Sequence, residues 1–186
     1  MHSIVLFSAL CRFKIVAKIV IFTGILLFFN KSWIVFKSID HFFQISIPAL
    51  PRIESKEIQT ELGTILQTSY VSIDTLNTSK TYQIISSLYP AQFMNSTSLL
   101  EERNTVNNTL IDAMQNYLKG QLIYKEFGQL KGIECCWFLI KYEEKSLKAC
   151  LIWKGNQLIS LFFYSNYKER LIAESNEFFE SFKLLD

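Results

Sequence analysis

"GIECCWFLIKY", residues 132–142, is the most apolar stretch of the chain outside its N-terminus, and it holds two adjacent cysteines. It lies between the turn signals Lys131-Gly132 and Glu143-Glu144-Lys145-Ser146, which suits a strand. Neighbouring residues on a strand point to opposite faces. Ile133, Trp137 and Leu139 then share one side, while Phe138, Ile140 and Tyr142 share the other. Both sides are apolar, so 133–142 reads as a central strand covered on both faces. Cys135 and Cys136 cannot meet at one metal ion without a bulge. Zinc ligands are commonly spaced as Cys-x₂₋₄-Cys, with histidine or more cysteine completing the set. Here only Cys150 is nearby, and His41 is the sole histidine past the N-terminal segment. No metal is expected. A turn over 143–146 would set Cys150 opposite Leu139, which leaves Cys136 about 10 Å farther along the strand. A disulfide needs Cα atoms within roughly 7 Å. The thiols are therefore read as small apolar groups inside the protein.

Working outward, the chain alternates short strand-like runs with two helical segments. "FFQISIP" (42–48) puts Phe43, Ile45 and Ile47 on one face and Gln44 and Ser46 on the other, with Pro48 and Pro51 stopping it. "KEIQTELGTILQTSYVSID" (56–74) is read as two strands turning at Leu62-Gly63, because Thr64, Thr68, Tyr70, Val71 and Ile73 favour strand. "TYQIISSLYP" (81–90) is another strand. Ser98 and Glu101 form a capping box. Val106, Leu110, Met114 and Tyr117 follow as one apolar helical stripe, with Gly120 at the expected C-terminal cap. Asn104, Asn107, Asn108, Asp112 and Gln115 are expected to face water. Four strands follow, roughly 121–128, 133–142, 147–153 and 158–164. A second helix is expected from Asn166, with apolar positions Leu171, Ile172, Phe178 and Phe179, and then a short strand in "SFKLLD". About eight strands without a parallel strand–helix rhythm imply an α+β domain, a central antiparallel sheet flanked by helices.

Composition narrows the classes. Of the 186 residues 49% are apolar and 15% aromatic, which excludes a disordered chain. Residues 1–36 contain Arg12, Lys14, Lys18 and Lys31 and no acid. Of the 19 basic side chains this leaves 15 for the rest, against 17 acids. No basic face remains for nucleic acid. The leader has another use: its cations precede the uncharged run Ile19–Phe29, which includes Phe22, Ile25, Leu26, Leu27 and Phe28. The run is short of the ~20 residues of a full span, unless Lys18 snorkels to the headgroups. Residues 1–32 are read as a membrane anchor that places the following domain outside the cytoplasm. The alternatives are a cleaved signal peptide, giving a secreted protein, and a buried helix of a soluble one.

The order "FKSIDHFFQISIPALP", "ELGTILQTSY", "TYQIISSLYP", a capped helix ending "NYLKG", "GQLKGIECCWF", "KACLIWKGNQLISLFFY" and "FFESFKLLD" resembles bacterial proteins with the PsbP-like fold. That fold is shared by the extrinsic photosystem II protein PsbP and the nuclear Ran-binding protein Mog. The resemblance covers 33–186. Its marks are the aromatic-x-Ile-x-Ile-Pro strand, Tyr89-Pro90, the Gly132 turn and Ser181-Phe182-x-Leu184. Relatives often carry a Gly-x-Pro-Gly-like turn where this chain has Gly132-Ile133-Glu134. The resemblance implies a central antiparallel sheet sandwiched by helices, an α/β/α arrangement. It transfers no function, since no residue here matches those that serve a photosystem or a GTPase.

Among other candidates, His41 beside Asp40 is half of a catalytic pair without a nucleophile elbow. Glu101-Glu102, Glu143-Glu144 and Glu177/Glu180 read as a helix start, a turn and a solvated face. The sequons at Asn77, Asn95 and Asn107 are incidental in a bacterial chain. "LISLFFYSNY" (158–167) is rich in aromatics, and Phe162, Tyr164 and Tyr167 are the candidate partner surface. No catalytic residue and no cofactor is expected. The leading functional expectation is a non-enzymatic, membrane-tethered, extracytoplasmic binding or assembly module with a protein partner. The alternatives are a carrier of a small apolar, lipid-like ligand and, further off, a hydrolase using His41.

Overall fold

The computed structural model describes residues 33–60, 63–74, 80–91, 99–166 and 171–185, with the side chains of 171–174 left aside. The expected membrane segment 1–32, the Ser98 cap, Asn77, Asn95 and Tyr167 lie outside the described residues. Among the described residues, no helix is long and apolar enough to cross a membrane.

Ten strands and two helices follow one another as β1 (Ile34–Lys37), β2 (Phe43–Ile47), β3 (Arg52–Thr60), β4 (Gly63–Ile73), β5 (Thr81–Leu88), α1 (Leu99–Leu118), β6 (Gln121–Leu130), β7 (Ile133–Tyr142), β8 (Lys145–Lys154), β9 (Gln157–Asn166), α2 (Leu171–Ser181) and β10 (Lys183–Leu184). Seven strands form one sheet in the order β3-β4-β5-β9-β8-β7-β6, and β1-β2-β10 form a smaller one. Neighbouring strands pair antiparallel throughout.

The alternation expected of 133–142 places the two adjacent cysteines in two different cores. Cys135 joins Cys150, Ile152, Ile159, Leu161 and Phe163, closed off by Phe43, Phe178 and Phe182. Cys136 joins Phe138, Ile140, Ala149, Leu151, Leu158 and Phe162, closed off by Ile111 of α1. One face of the large sheet therefore carries α1, and the other carries α2 together with the small sheet. The fold is predominantly β, and the helix-on-both-faces sandwich that was expected is only approximated. β9, not β7, is central in the strand order; β7 lies next to the edge.

Four local expectations change. The β7–β8 turn takes only Glu143-Glu144, with Glu143 at a φ of 50°, so Cys150 stands opposite Trp137 instead of Leu139. Ser146, read as turn material, is buried inside β8 opposite Ser165. The polarity of Glu-Glu-Lys-Ser suggested a longer loop than the chain needs. Cys150 now lies diagonal to Cys135 on one face, while all three described cysteines remain free. Asn166 ends β9 and does not begin a helix, because its partner Lys145 continues the ladder. Gly120 is not the left-handed cap of α1. That role falls to Lys119 (φ 51°), whose amide donates to Asn116 while the Gly120 amide donates to Gln115, a Schellman closure. Gly120 is required for another reason: a Cβ there would stand 2.5 Å from Ile140 Cγ2 and 2.8 Å from the Lys141 carbonyl oxygen.

Gly120→Ala is thus expected to destabilise the protein by about 1–3 kcal/mol through overpacking against β7. Lys119→Gly is expected to stabilise it by about 0.5–1 kcal/mol by relieving the left-handed backbone. Urea denaturation curves give both signs. Thiol burial gives a further check: Cys135, Cys136 and Cys150 are 6%, 1% and 0% exposed, and burial pushes the Cys136 and Cys150 thiols up. These three should resist an aromatic disulfide reagent until denaturant is added.

Candidate functional site

α1 is attached to the large sheet through a polar contact as well as apolar ones. Ile111 is buried, with Val106, Leu110, Met114 and Leu118 partly buried around it. Asn107, expected on the wet side, is 4% exposed and accepts a hydrogen bond from the Trp153 indole at 3.1 Å. The Arg103 guanidinium lies over the same indole, 5.4 Å from its centre. Tyr117, expected on the buried stripe, is 82% exposed. The helix is thus rotated toward Asn107, because Trp153 offers a donor that an apolar side chain could not satisfy.

Across β4 and β5 the same sheet face turns polar. Gln83 Nε2 donates to Ser69 Oγ at 3.1 Å, and Gln67 Nε2 donates to Ser87 Oγ at 3.3 Å. Where this polar half meets the C-terminal half of α1 there is a cleft of about 760 Å³, lined by Gln83, Ile85, Met114, Tyr117, Tyr142, Lys145, Phe162 and Tyr164 among others. Tyr164 bridges its two characters, since its ring packs against the apolar core while its hydroxyl donates to Gln83 Oε1 at 3.2 Å. Burial pushes the Tyr164 phenol up, and nearby Tyr142 and Tyr117 add to it. Burial also raises Tyr142, with Glu143 adding to it. Both phenols stay neutral at physiological pH. Among the described lining residues, Lys145 is the only Lys, Arg, Asp or Glu. Such a surface offers hydrogen bonds and aromatic area and suits holding a partner.

The three residues singled out as a partner surface fare differently. Phe162 is 1% exposed and forms part of the cleft's buried wall, so it is not an open contact residue. The core packed on that sheet face, with Ile111 of α1, covers it. Tyr164 is half-buried in the cleft, and Tyr167 lies outside the described residues. Tyr117, Tyr142 and Gln83 were missed. Tyr117 carried a signal, being an aromatic with a polar tip at the end of an otherwise aliphatic stripe. The anchor residues Ile19, Phe22, Ile25, Leu26, Leu27, Phe28 and Phe29 lie outside the described residues. His41 is exposed, with φ 55°, in the turn before β2. Asp40 is engaged structurally, accepting from the Phe42 amide at 3.2 Å and from Gln157 Nε2 at 3.1 Å.

The chain is similar in fold to solved structures. The solution structure of cyanobacterial PsbP (CyanoP) from Synechocystis matches with a TM-score of 0.55 and 11% identity, covering 83% of this chain and 94% of that one. A crystal structure of a protein from Bacteroides thetaiotaomicron matches with a TM-score of 0.50 and 12% identity, covering 82% of this chain and 48% of that one. No protein-family model matches. No curated protein matches in sequence. The resemblance to the PsbP fold is therefore met as a likeness of fold.

Two outcomes follow from these contacts. Asn107→Leu removes the acceptor that faces the half-buried Trp153 indole and is expected to cost about 1–3 kcal/mol, read by thermal or urea unfolding. Asp40 is held below the usual carboxylate range: burial opposes this, but hydrogen bonds from Ser38, the Phe42 amide and Gln157 outweigh it. A carboxylate depressed in the folded state stabilises above its unfolded pKa and loses that contribution as pH falls through the folded value. The stability gap between wild type and Asp40→Asn should therefore be widest above pH ~4 and shrink below it.

Proposed function

We propose that the chain is a non-catalytic binding or assembly module, tethered through its N-terminal segment to the outer face of a membrane, that holds a protein partner in the tyrosine cleft beside α1. The carrying observation is that cleft: three tyrosines and Met114 line a mostly uncharged cavity of about 760 Å³, with Tyr117 82% exposed. Tyrosine supplies large amphipathic contact area at low conformational cost and is enriched at binding hot spots. The tether rests on the run Ile19–Phe29 behind Arg12, Lys14 and Lys18. The PsbP-like fold agrees with an accessory domain of this kind.

A phosphatase fused to the C-terminus is expected to be active in intact cells; a reporter active only in the cytoplasm would defeat the tether. A photo-crosslinker at Tyr117 should give a discrete adduct in membranes, one placed at the exposed Lys56 should not, and Tyr164→Ala should weaken the Tyr117 adduct several-fold.

A second reading has its own observation. On the other flank of α1 a groove of about 530 Å³ is lined by Leu100, Phe127, Gly128 and Trp153, and Leu100 and Phe127 are 71% and 64% exposed. It suits carriage of a small apolar, lipid-like ligand. Organic extracts of the purified protein should contain a stoichiometric apolar compound if this reading holds, and an empty extract sinks it.

A further inference from the structure

Lys148 is out of place among its neighbours. It stands opposite Leu139 in β7 and Phe163 in β9, on the sheet face where Cys150, Ile152 and Phe163 are buried. Its ammonium lies 5.4 Å from the centres of both the Trp137 and Phe179 rings. Its hydrogen-bond acceptors are Ser175 Oγ and Asn176 Oδ1, each at 3.4 Å, the long end of the range. Among the described residues no carboxylate stands within ion-pair distance of it. Burial lowers its pKa, although Glu126 acts the other way. A desolvated ammonium is costly unless it is paired, and two rings with two long contacts are a weak pairing.

This ammonium opens into a cleft of about 480 Å³ between α2 and β6–β8. The floor is formed by Trp137, Phe179, Tyr124 and Lys148, while Glu126, Glu180 and Lys131 stand at the exposed rim, where water screens them. The volume falls within the range of small-molecule sites, which are mostly apolar with a few placed polar groups. An inorganic anion would leave the aromatic floor empty, and a neutral apolar molecule would leave the ammonium without a counter-charge.

We infer that this cleft binds a small organic carboxylate with a flat apolar body, its carboxylate on the Lys148 ammonium and its body against Trp137 and Tyr124. The site is separate from the tyrosine cleft and does not depend on it. Asn176, whose amide oxygen faces Lys148, has an amide nitrogen with which to share the carboxylate.

The test uses the full-length chain in detergent, labelled with 5-fluorotryptophan and followed by fluorine resonance, with benzoate, benzamide and inorganic phosphate as probes. Trp137 is assigned through Trp137→Phe. Benzoate should shift the Trp137 signal saturably, leave Trp33 and Trp153 in place, and bind at least ten-fold tighter than benzamide or phosphate. Lys148→Met should erase the preference for benzoate over benzamide, and Lys148→Arg should keep it. If Lys148→Met fails to fold, Asn176→Asp places a carboxylate in the cleft and should weaken benzoate at least ten-fold. Benzoate binding no tighter than benzamide or phosphate, shifts centred on another tryptophan, or a preference indifferent to these variants would each overturn the assignment.

Discussion

The pairing of β5 with β9 holds the molecule together. β3, β4 and β5 form one meander and β6 to β9 another, and the ladder from Thr81↔Tyr164 to Leu88↔Gln157 is what makes them one sheet. Without it each meander would expose an edge and half of a core. The ladder also brings Tyr82 beside Phe163, with ring centres 5.0 Å apart, and sets Tyr82 against Trp33 and Phe178. The small sheet and α2 can cover the large sheet only because that aromatic platform is continuous across the join. Pairings so distant along the chain carry the largest loop-closure cost, so they form only with the whole domain.

The same ladder sets the character of the opposite face. Gln83 sits directly opposite Phe162, at the point where the covered apolar half gives way to the open polar half. A face covered by one helix of limited width must change from apolar to polar somewhere. Tyrosine fits that boundary because its ring packs inward while its hydroxyl reaches a polar neighbour. The tyrosine cleft is thus a consequence of incomplete coverage. On the other face coverage is broader, yet the gap between α2 and the β6 edge leaves Lys148 half-buried in a second cleft, among rings.

Much of this was legible from residue order. The period of two in β2 was read correctly, as were the Gly63 and Lys131-Gly132 turns and the opposite orientation of Cys135 and Cys136. In each case a local rule and the tertiary environment agree. Asn107 shows why other features were not legible: hydropathy assigns an asparagine to water, and only the arrival of Trp153 from a distant strand gives it a hydrogen-bond partner. Tyr117 is the converse, an apolar-stripe residue left exposed when the helix rotates toward that hydrogen bond. The β7–β8 register failed for a similar reason, since Ser146 is buried in a ladder with Ser165 of the strand beyond.

By itself the sequence determined a β-rich domain behind a cationic, apolar leader, with Cys135 and Cys136 directed to opposite faces of one strand. Local propensity and side-chain alternation suffice for that, because both act within a few residues. The tertiary structure alone decided which face of α1 meets the sheet, where its coverage ends, and that tyrosines line one cleft and a lysine the other. Those outcomes depend on partners many residues away, whose geometry is set only when the two meanders join.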